Sequence, residues 1–217
     1  MSTWEQREKY LVEVSQRCLK GHKTFDLCRS HLVNSSQISK GTIYNHFSSE
    51  ADLIVAVACN QYQQWHDLAQ QNRQRYEDPY LCFIFHHCSR IYDLLKQQDF
   101  LVDRVMPNES LLENCSEQYR QRFEALRAQN IEWNRQVITE IGEVAGFDRL
   151  ELAIQYLRGA MINIDDAKSK YDDPKLYHQL SYALTQLIGH SSKRLPKLKD
   201  FELWLSEQET NSHKPLH

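Results

Sequence analysis

Apolar residues recur every three or four positions along nearly the whole chain, the period of a helix with one buried face. Between Trp4 and Lys20 the stripe is Tyr10, Leu11, Val14, Cys18 and Leu19. A second, short helix is expected from Asp26 or Leu27 to Val33, followed by a polar break at Asn34-Ser35-Ser36-Gln37. Ser39 is a good N-cap for a third helix ending near His46. Ser49 and Asp52 have capping-box spacing for a fourth, from Glu50 to about Tyr76. Further on, prolines fall between helical stretches. Pro79 opens one through Gln97, and a short helix is expected around Leu111 to Cys115. Glu117 to Val144 reads as one long helix closed by Gly146. Arg149 to Tyr171 follows, then a stripe of Leu176, Leu180, Leu184, Leu187 and Ile188 after Pro174. A last short helix after Pro196 carries Phe201, Trp204 and Leu205, and 206–217 is polar and expected to fray.

These elements predict an all-α protein of nine or ten helices. Composition agrees: six glycines and five prolines in 217 residues are too few turns for an all-β or Rossmann-type fold. The longest strongly apolar stretch, Leu53 to Cys59, is far short of the roughly 20 residues that span a bilayer. The first residues have no apolar core of a secretory signal. A cytoplasmic protein is expected, with its six scattered cysteines reduced and acting as small hydrophobes. The formal net charge of −3 argues against nucleic acid only if charge is spread evenly. It is not. From Arg17 to Phe47, Arg17, Lys20, Lys23, Arg29 and Lys40 face a single acid, Asp26, which is a local basic footprint.

That footprint contains Ile38-Ser39-Lys40-Gly41-Thr42-Ile43-Tyr44-Asn45-His46-Phe47. With Lys40 as zero on a helical wheel, Ile43 and Phe47 fall near about 300° and 340°, on one anchoring line. Gly41, Asn45 and Thr42 fall roughly opposite. Lys40 and Tyr44 flank one side and His46 the other. Small or polar residues outward allow such a helix to enter a major groove. Thr42 offers a methyl and a hydroxyl and Asn45 a donor–acceptor pair, while Lys40, Tyr44 and His46 would reach phosphates. A capped surface helix with a polar face is the alternative that geometry alone leaves open.

The run Ser39-Lys40-Gly41-Thr42-Ile43-Tyr44-Asn45-His46-Phe47, followed by Ser49 and Leu53, resembles the helix-turn-helix signature of the TetR family of bacterial regulators. The resemblance covers about residues 8 to 55. It implies a three-helix DNA-binding domain (1–49), a larger helical ligand-binding and dimerisation domain (50–205), and a frayed tail (206–217). It further implies a repressor, homodimeric on a palindromic operator and released by a small molecule. Carried over by position, Ser39, Lys40, Thr42, Tyr44 and His46 match DNA-contacting residues. Gly41 allows close approach, and Asn45 is the variable position. Two positions depart: Gln37 stands where the family usually has a turn glycine, and Glu50 where it often has a phosphate-touching lysine. The alternative is a ligand-binding or interaction module whose helix-turn-helix no longer binds DNA.

Dimer helices are expected at Arg149–Tyr171 and Leu176–Ile188, where Leu152, Tyr156, Tyr177 and Tyr182 exceed the needs of one core face. An effector pocket would draw on Phe83, Tyr92, Phe123, Trp133 and Tyr156, with His87 or Asn134 as polar handles. Cys82 and His86 share a helical face, but no second pair completes a metal site. GxSxG, GxGxxG, P-loop and HExxH patterns are missing, so neither catalysis nor a cofactor is expected.

Overall fold

The computed structural model describes residues 3–142, 146, 148–190 and 195–212. Among them 78% are helical and none is in a strand. Ten α-helices run in chain order: α1 (Thr3–Cys18), α2 (Arg29–Ser36), α3 (Lys40–His46), α4 (Glu50–Arg75), α5 (Pro79–Gln97), α6 (Glu109–Asn114), α7 (Glu117–Ile141), α8 (Arg149–Asp166), α9 (Pro174–Leu187) and α10 (Leu198–Ser212). No described helix is long and apolar enough to cross a membrane. The chain divides into two compact units. The first holds the residues up to Gln71 together with Gln97–Trp133; the second holds Asn72–Lys96 and the residues from Asn134 on.

In the first unit α1 packs on α2 and α2 on α3. The apolar stripes account for it: Leu11, Val14, Leu19, Leu32, Ile43, Phe47 and Leu53 are all buried. Each such side chain is worth about 1.5–3 kcal/mol in apolar area removed from water. Farther along, Gln61 fixes the chain after α5. Its amide N–H donates to the Phe100 carbonyl and its amide oxygen accepts from the Val102 N–H, both at 2.9 Å. A buried side chain thus supplies the partners that a buried loop backbone must find.

The second unit is organised by aromatic rings. Trp204 of α10 meets Phe85, Tyr92 and Tyr177 at centroid distances of 5.8, 5.7 and 5.0 Å. Tyr80 of α5 reaches Thr185 of α9 at 2.7 Å, a buried hydroxyl pair. α8 packs on α9, and α9 on α10.

Several boundaries differ from the sequence expectation, each for a local reason. α2 starts at Arg29 because Asp26 is engaged by the His22 ring at 2.8 Å and Cys28 is extended, at φ −123°. The polar run Asn34-Ser35-Ser36 stays helical: Ser35 donates back to the His31 carbonyl at 3.1 Å, and Ser36 is buried. The break comes one residue later, at Gln37, which adopts φ 58° and ψ 20°. α7 ends at Ile141 with Gly142 at φ 120°, so Gly142 rather than Gly146 follows the helix; the expected end at Val144 lies outside the described residues. α8 stops at Asp166, and Lys168 takes a positive φ of 50°. α10 continues to Ser212, through the first part of the stretch expected to fray, and 213–217 lie outside the described residues.

Gln37 carries a Cβ in a left-handed conformation that costs an L-residue roughly 1–2 kcal/mol. Gln37→Gly is therefore expected to stabilise the chain by about 0.5–1 kcal/mol, the gain in torsional freedom being partly offset by unfolded-state entropy. Urea unfolding measures it, and an unchanged or lowered midpoint would contradict it.

Candidate nucleic-acid interface

Ser39 starts α3 as expected. Its hydroxyl accepts the Thr42 N–H at 3.3 Å and lies 2.9 Å from the Thr42 hydroxyl. The preceding turn is pinned twice: Tyr10 donates its phenol to the Ser36 carbonyl at 3.0 Å, and the Ser36 hydroxyl accepts from the Ile38 N–H at 3.3 Å. Ile43 and Phe47 are fully buried, and they hold the seven-residue helix to the core.

The opposite face is open. Ser39, Lys40, Gly41 and Asn45 are exposed, and Thr42 and Tyr44 are half-buried. A Cβ at Gly41 would meet nothing within 4 Å, so the surface there is free to approach another body closely. The Tyr44 ring is engaged on its face. The Arg29 guanidinium lies 4.4 Å from its ring centroid and the Lys40 ammonium 5.4 Å, both at cation–π distance. Lys40 and Tyr44 therefore form one cationic, hydrogen-bonding flank beside the small polar face.

His46 is a correction. It does not flank the other side at the surface; it is 3% exposed, stacked on the Trp4 indole at 3.6 Å and 28°. The wheel placed it at an edge, but α1 covers that edge. Neither ring nitrogen has a hydrogen-bond partner among the described residues. Burial, helped by the nearby Arg7, lowers its pKa and keeps the ring neutral. The backbone carbonyl of His46 accepts the Tyr119 phenol at 3.1 Å.

From the sequence Arg29 has no role beyond its charge, and Glu50 is a departure from the lysine often found at its position. In the structure the Glu50 carboxylate accepts the Arg29 backbone N–H and its Nε–H, both at 2.9 Å. The guanidinium also donates to the carbonyls of Phe47 at 3.1 Å and Ser48 at 2.6 Å. Arg29 thus ties the start of α2 to the α3–α4 turn. Its place in the basic stretch was the available signal; the pairing across 21 residues was not.

Asp52 organises the same turn from the other side. Burial would push its pKa up, but the N–H of Ser116 and the N–H and hydroxyl of Ser48 hold it below the ordinary carboxylate range. The distances are 2.6, 2.8 and 2.6 Å. Ser49 and Asp52 form the expected cap, Asp52 N–H donating to the Ser49 hydroxyl at 3.0 Å. The Ser49 hydroxyl in turn donates to the Asn114 carbonyl at 3.2 Å. The turn after α3 is thereby joined to the α6–α7 junction.

The expected effector residues fall into several groups. In the second unit Phe83, His87 and Asn134 are buried together, the His87 ring 3.0 Å from the Asn134 side-chain oxygen and edge-on to Phe83 at 4.7 Å. Tyr92 belongs to the Trp204 cluster, its hydroxyl accepting from Lys96 at 2.7 Å. Phe123 and Trp133 belong to the first unit, where Phe123 packs on Tyr62 at 5.1 Å. Tyr156 lines a cleft of about 480 Å³ on α8 and α9, with Gly159, Asn163, Ile164, Leu176 and Leu180. Among the expected dimer residues Tyr177 is fully buried, its phenol donating to the Tyr171 carbonyl at 2.5 Å, so it is core rather than surplus. Tyr182 is 52% exposed. Among the described residues no cluster of His, Cys, Asp or Glu could hold a metal ion. Cys59 is buried and its thiol pKa pushed up to about 12 by burial, and Cys88 is likewise buried and raised, so both stay protonated.

No protein-family model and no curated protein matches the sequence. Solved structures do match the fold. A TetR-family transcriptional regulator from Streptomyces coelicolor is 14% identical with a TM-score of 0.58, covering 93% of this chain and 100% of that one. RolR in complex with resorcinol is 16% identical with a TM-score of 0.57, covering 99% and 96%. A TetR transcriptional regulator from Rhodococcus sp. RHA1 is 14% identical with a TM-score of 0.55, covering 85% and 98%. The chain has the fold of TetR-type regulators.

Two outcomes follow from the buried groups. Asp52→Ala strands the N–H groups of Ser48 and Ser116 and is expected to cost roughly 2–4 kcal/mol. Because the folded pKa of Asp52 is depressed, its contribution is present above the ordinary value of 3.8 and lost as pH falls through the folded value; Asp52→Asn should remove that acid dependence. His46 also has a depressed folded pKa, so its contribution is present above the ordinary 6.5 and lost on acidification below it. Stability measured from pH 8 to 5 should fall less in His46→Phe than in the wild-type chain. Equal slopes would rule this out.

Proposed function

We propose that the chain is a sequence-specific DNA-binding transcriptional regulator of the TetR family. It acts in the cytoplasm as a homodimer on a palindromic operator, and as a repressor released by a small-molecule effector. Residues 1–49 form the DNA-binding domain and 50–205 the ligand-binding and dimerisation domain. One observation carries the reading: α3 turns Lys40, Gly41, Thr42 and Asn45 outward while Ile43 and Phe47 hold it from behind. Thr42 and Asn45 read base edges, Ser39, Lys40 and Tyr44 hold phosphates, and Gly41 lets the helix come close. His46 joins them only if Trp4 moves aside.

The α8–α9 cleft with Tyr156, Ile164 and Leu176, and exposed Tyr182 beside it in sequence, supports pairing with a second copy through these helices. A dimer sets two recognition helices about 34 Å apart, or further for wider sites. The Phe83–His87–Asn134 group, apolar with a polar handle, supports effector binding in the second unit. RolR was solved with resorcinol; the effector of this chain is a small organic molecule of unassigned identity.

The buried His46 favours a second reading, a module that keeps the fold without gripping DNA. Selection from a random duplex pool at low salt separates the two. The regulator reading expects a palindrome. Lys40→Ala and Tyr44→Ala should weaken binding to all duplexes, and Lys40→Ala should also lower the salt slope by about 1. Thr42→Ala and Asn45→Ala should instead change which bases are preferred. Failure to enrich any sequence would leave the second reading.

A further inference from the structure

An acidic residue at position 50, beside a helix that faces a polyanion, ought to weaken DNA binding by simple charge repulsion. The geometry points to the reverse. We infer that Glu50 is a positioning residue for DNA recognition: through Arg29 it fixes the Tyr44 ring against the face of α3. This rests on the regulator reading above.

Glu50 grips Arg29 at two points, the backbone N–H and Nε–H, each at 2.9 Å. Both atoms belong to one residue, so the carboxylate sets the direction in which the side chain leaves α2. The Nη1 group is then closed off by the Phe47 and Ser48 carbonyls at 3.1 and 2.6 Å. Three hydrogen bonds leave the guanidinium little freedom, a fourth holds its own backbone N–H, and the Arg29 side chain is only 16% exposed. The guanidinium carbon Cζ so fixed lies over the Tyr44 ring, 4.4 Å from its centroid. A guanidinium held in one place over the ring favours that ring position, because the attraction is to the face of the ring. Tyr44 is half-buried in that position, and its phenol has no hydrogen-bond partner among the described residues. Glu50 itself is spent on Arg29: paired with a cation, its charge is largely neutralised at DNA distance. A lysine at this position would gain one phosphate attraction and lose the whole chain of contacts to Tyr44.

The rank order of variants at position 50 decides the matter, since bulk electrostatics and positioning predict opposite orders. Duplex selected from the random pool is titrated with the full chain and with Glu50→Gln, Glu50→Ala and Glu50→Lys. Positioning expects the wild-type chain to bind best, Glu50→Gln next, because its amide oxygen can still accept one Arg29 N–H, and Glu50→Lys worst, by about tenfold. Repulsion expects Glu50→Lys to bind best. In a Tyr44→Ala background the position-50 penalty should vanish, an outcome that general destabilisation would not produce. If Glu50→Lys fails to fold, the order of wild type, Gln and Ala carries the same sign test. Tighter binding by either neutral variant, or an undiminished penalty without Tyr44, overturns the inference while the regulator reading stands. Should the wild-type chain bind no duplex, the regulator reading falls and this role with it. The clamp itself is then read by NMR, as a ring-shifted, exchange-protected Arg29 Nε–H kept in Glu50→Gln and lost in Glu50→Ala.

Discussion

Seven residues are too few for a helix to persist in water on its own hydrogen bonds, because nucleation costs more than so few bonds return. α3 exists because other elements impose it. Its start is capped by Ser39, its inner line is sunk into the core at Ile43 and Phe47, and its end is held by bonds from outside the helix. Tyr119 binds the last carbonyl of the helix, and Arg29 binds the two that follow it. Every feature of the outward face is set by these inward attachments. What could meet a groove is what the protein's own body leaves unused.

Around that helix, charge does local mechanical work before it does any long-range steering. Asp52 and Glu50 both sit in the first turn of α4, where carboxylates suit the positive end of a helix. Their partners differ. Asp52 gathers main-chain donors from the turn and from Ser116, joining α3 to the α6–α7 junction within the first unit. Glu50 gathers one arginine and so joins α2 to the same turn. The two acids fasten the α3–α4 turn from opposite sides of the sequence. A net charge of −3 therefore says little about DNA, since part of the acidic count is spent on holding the basic face in shape.

The inward and outward sides of α3 were legible in the sequence because the 3.6-residue period needs only neighbouring residues. Ser39 as a cap and the Ser49–Asp52 pair were legible for the same reason: both are contacts within four residues. What was not legible depended on distant chain. His46 lies at an edge of its own helix, and only the arrival of Trp4, 42 positions earlier, turns that edge into interior. Arg29 and Glu50 are 21 residues apart, and each alone looks like an ordinary surface charge. Tyr177 seemed surplus on α9 until Trp204 of α10 packed against it. The misplacement of the break after α2 has a different origin. Asn34-Ser35-Ser36 has the composition of a loop, but the Ser35 hydroxyl bonds back to its own helix and the run stays wound.

The left-handed torsion at Gln37 has a consequence for how the turn can be spelled. The bend between α2 and α3 is defined by one pair of dihedral angles, and glycine is merely the residue that reaches them most cheaply. A glutamine can occupy them when the flanking helices are clamped firmly enough, here by the phenol of Tyr10 and the hydroxyl of Ser36. A glutamine in place of a glycine here changes one letter of the turn and leaves the bend intact. The shape of a turn can thus be the same where its spelling differs.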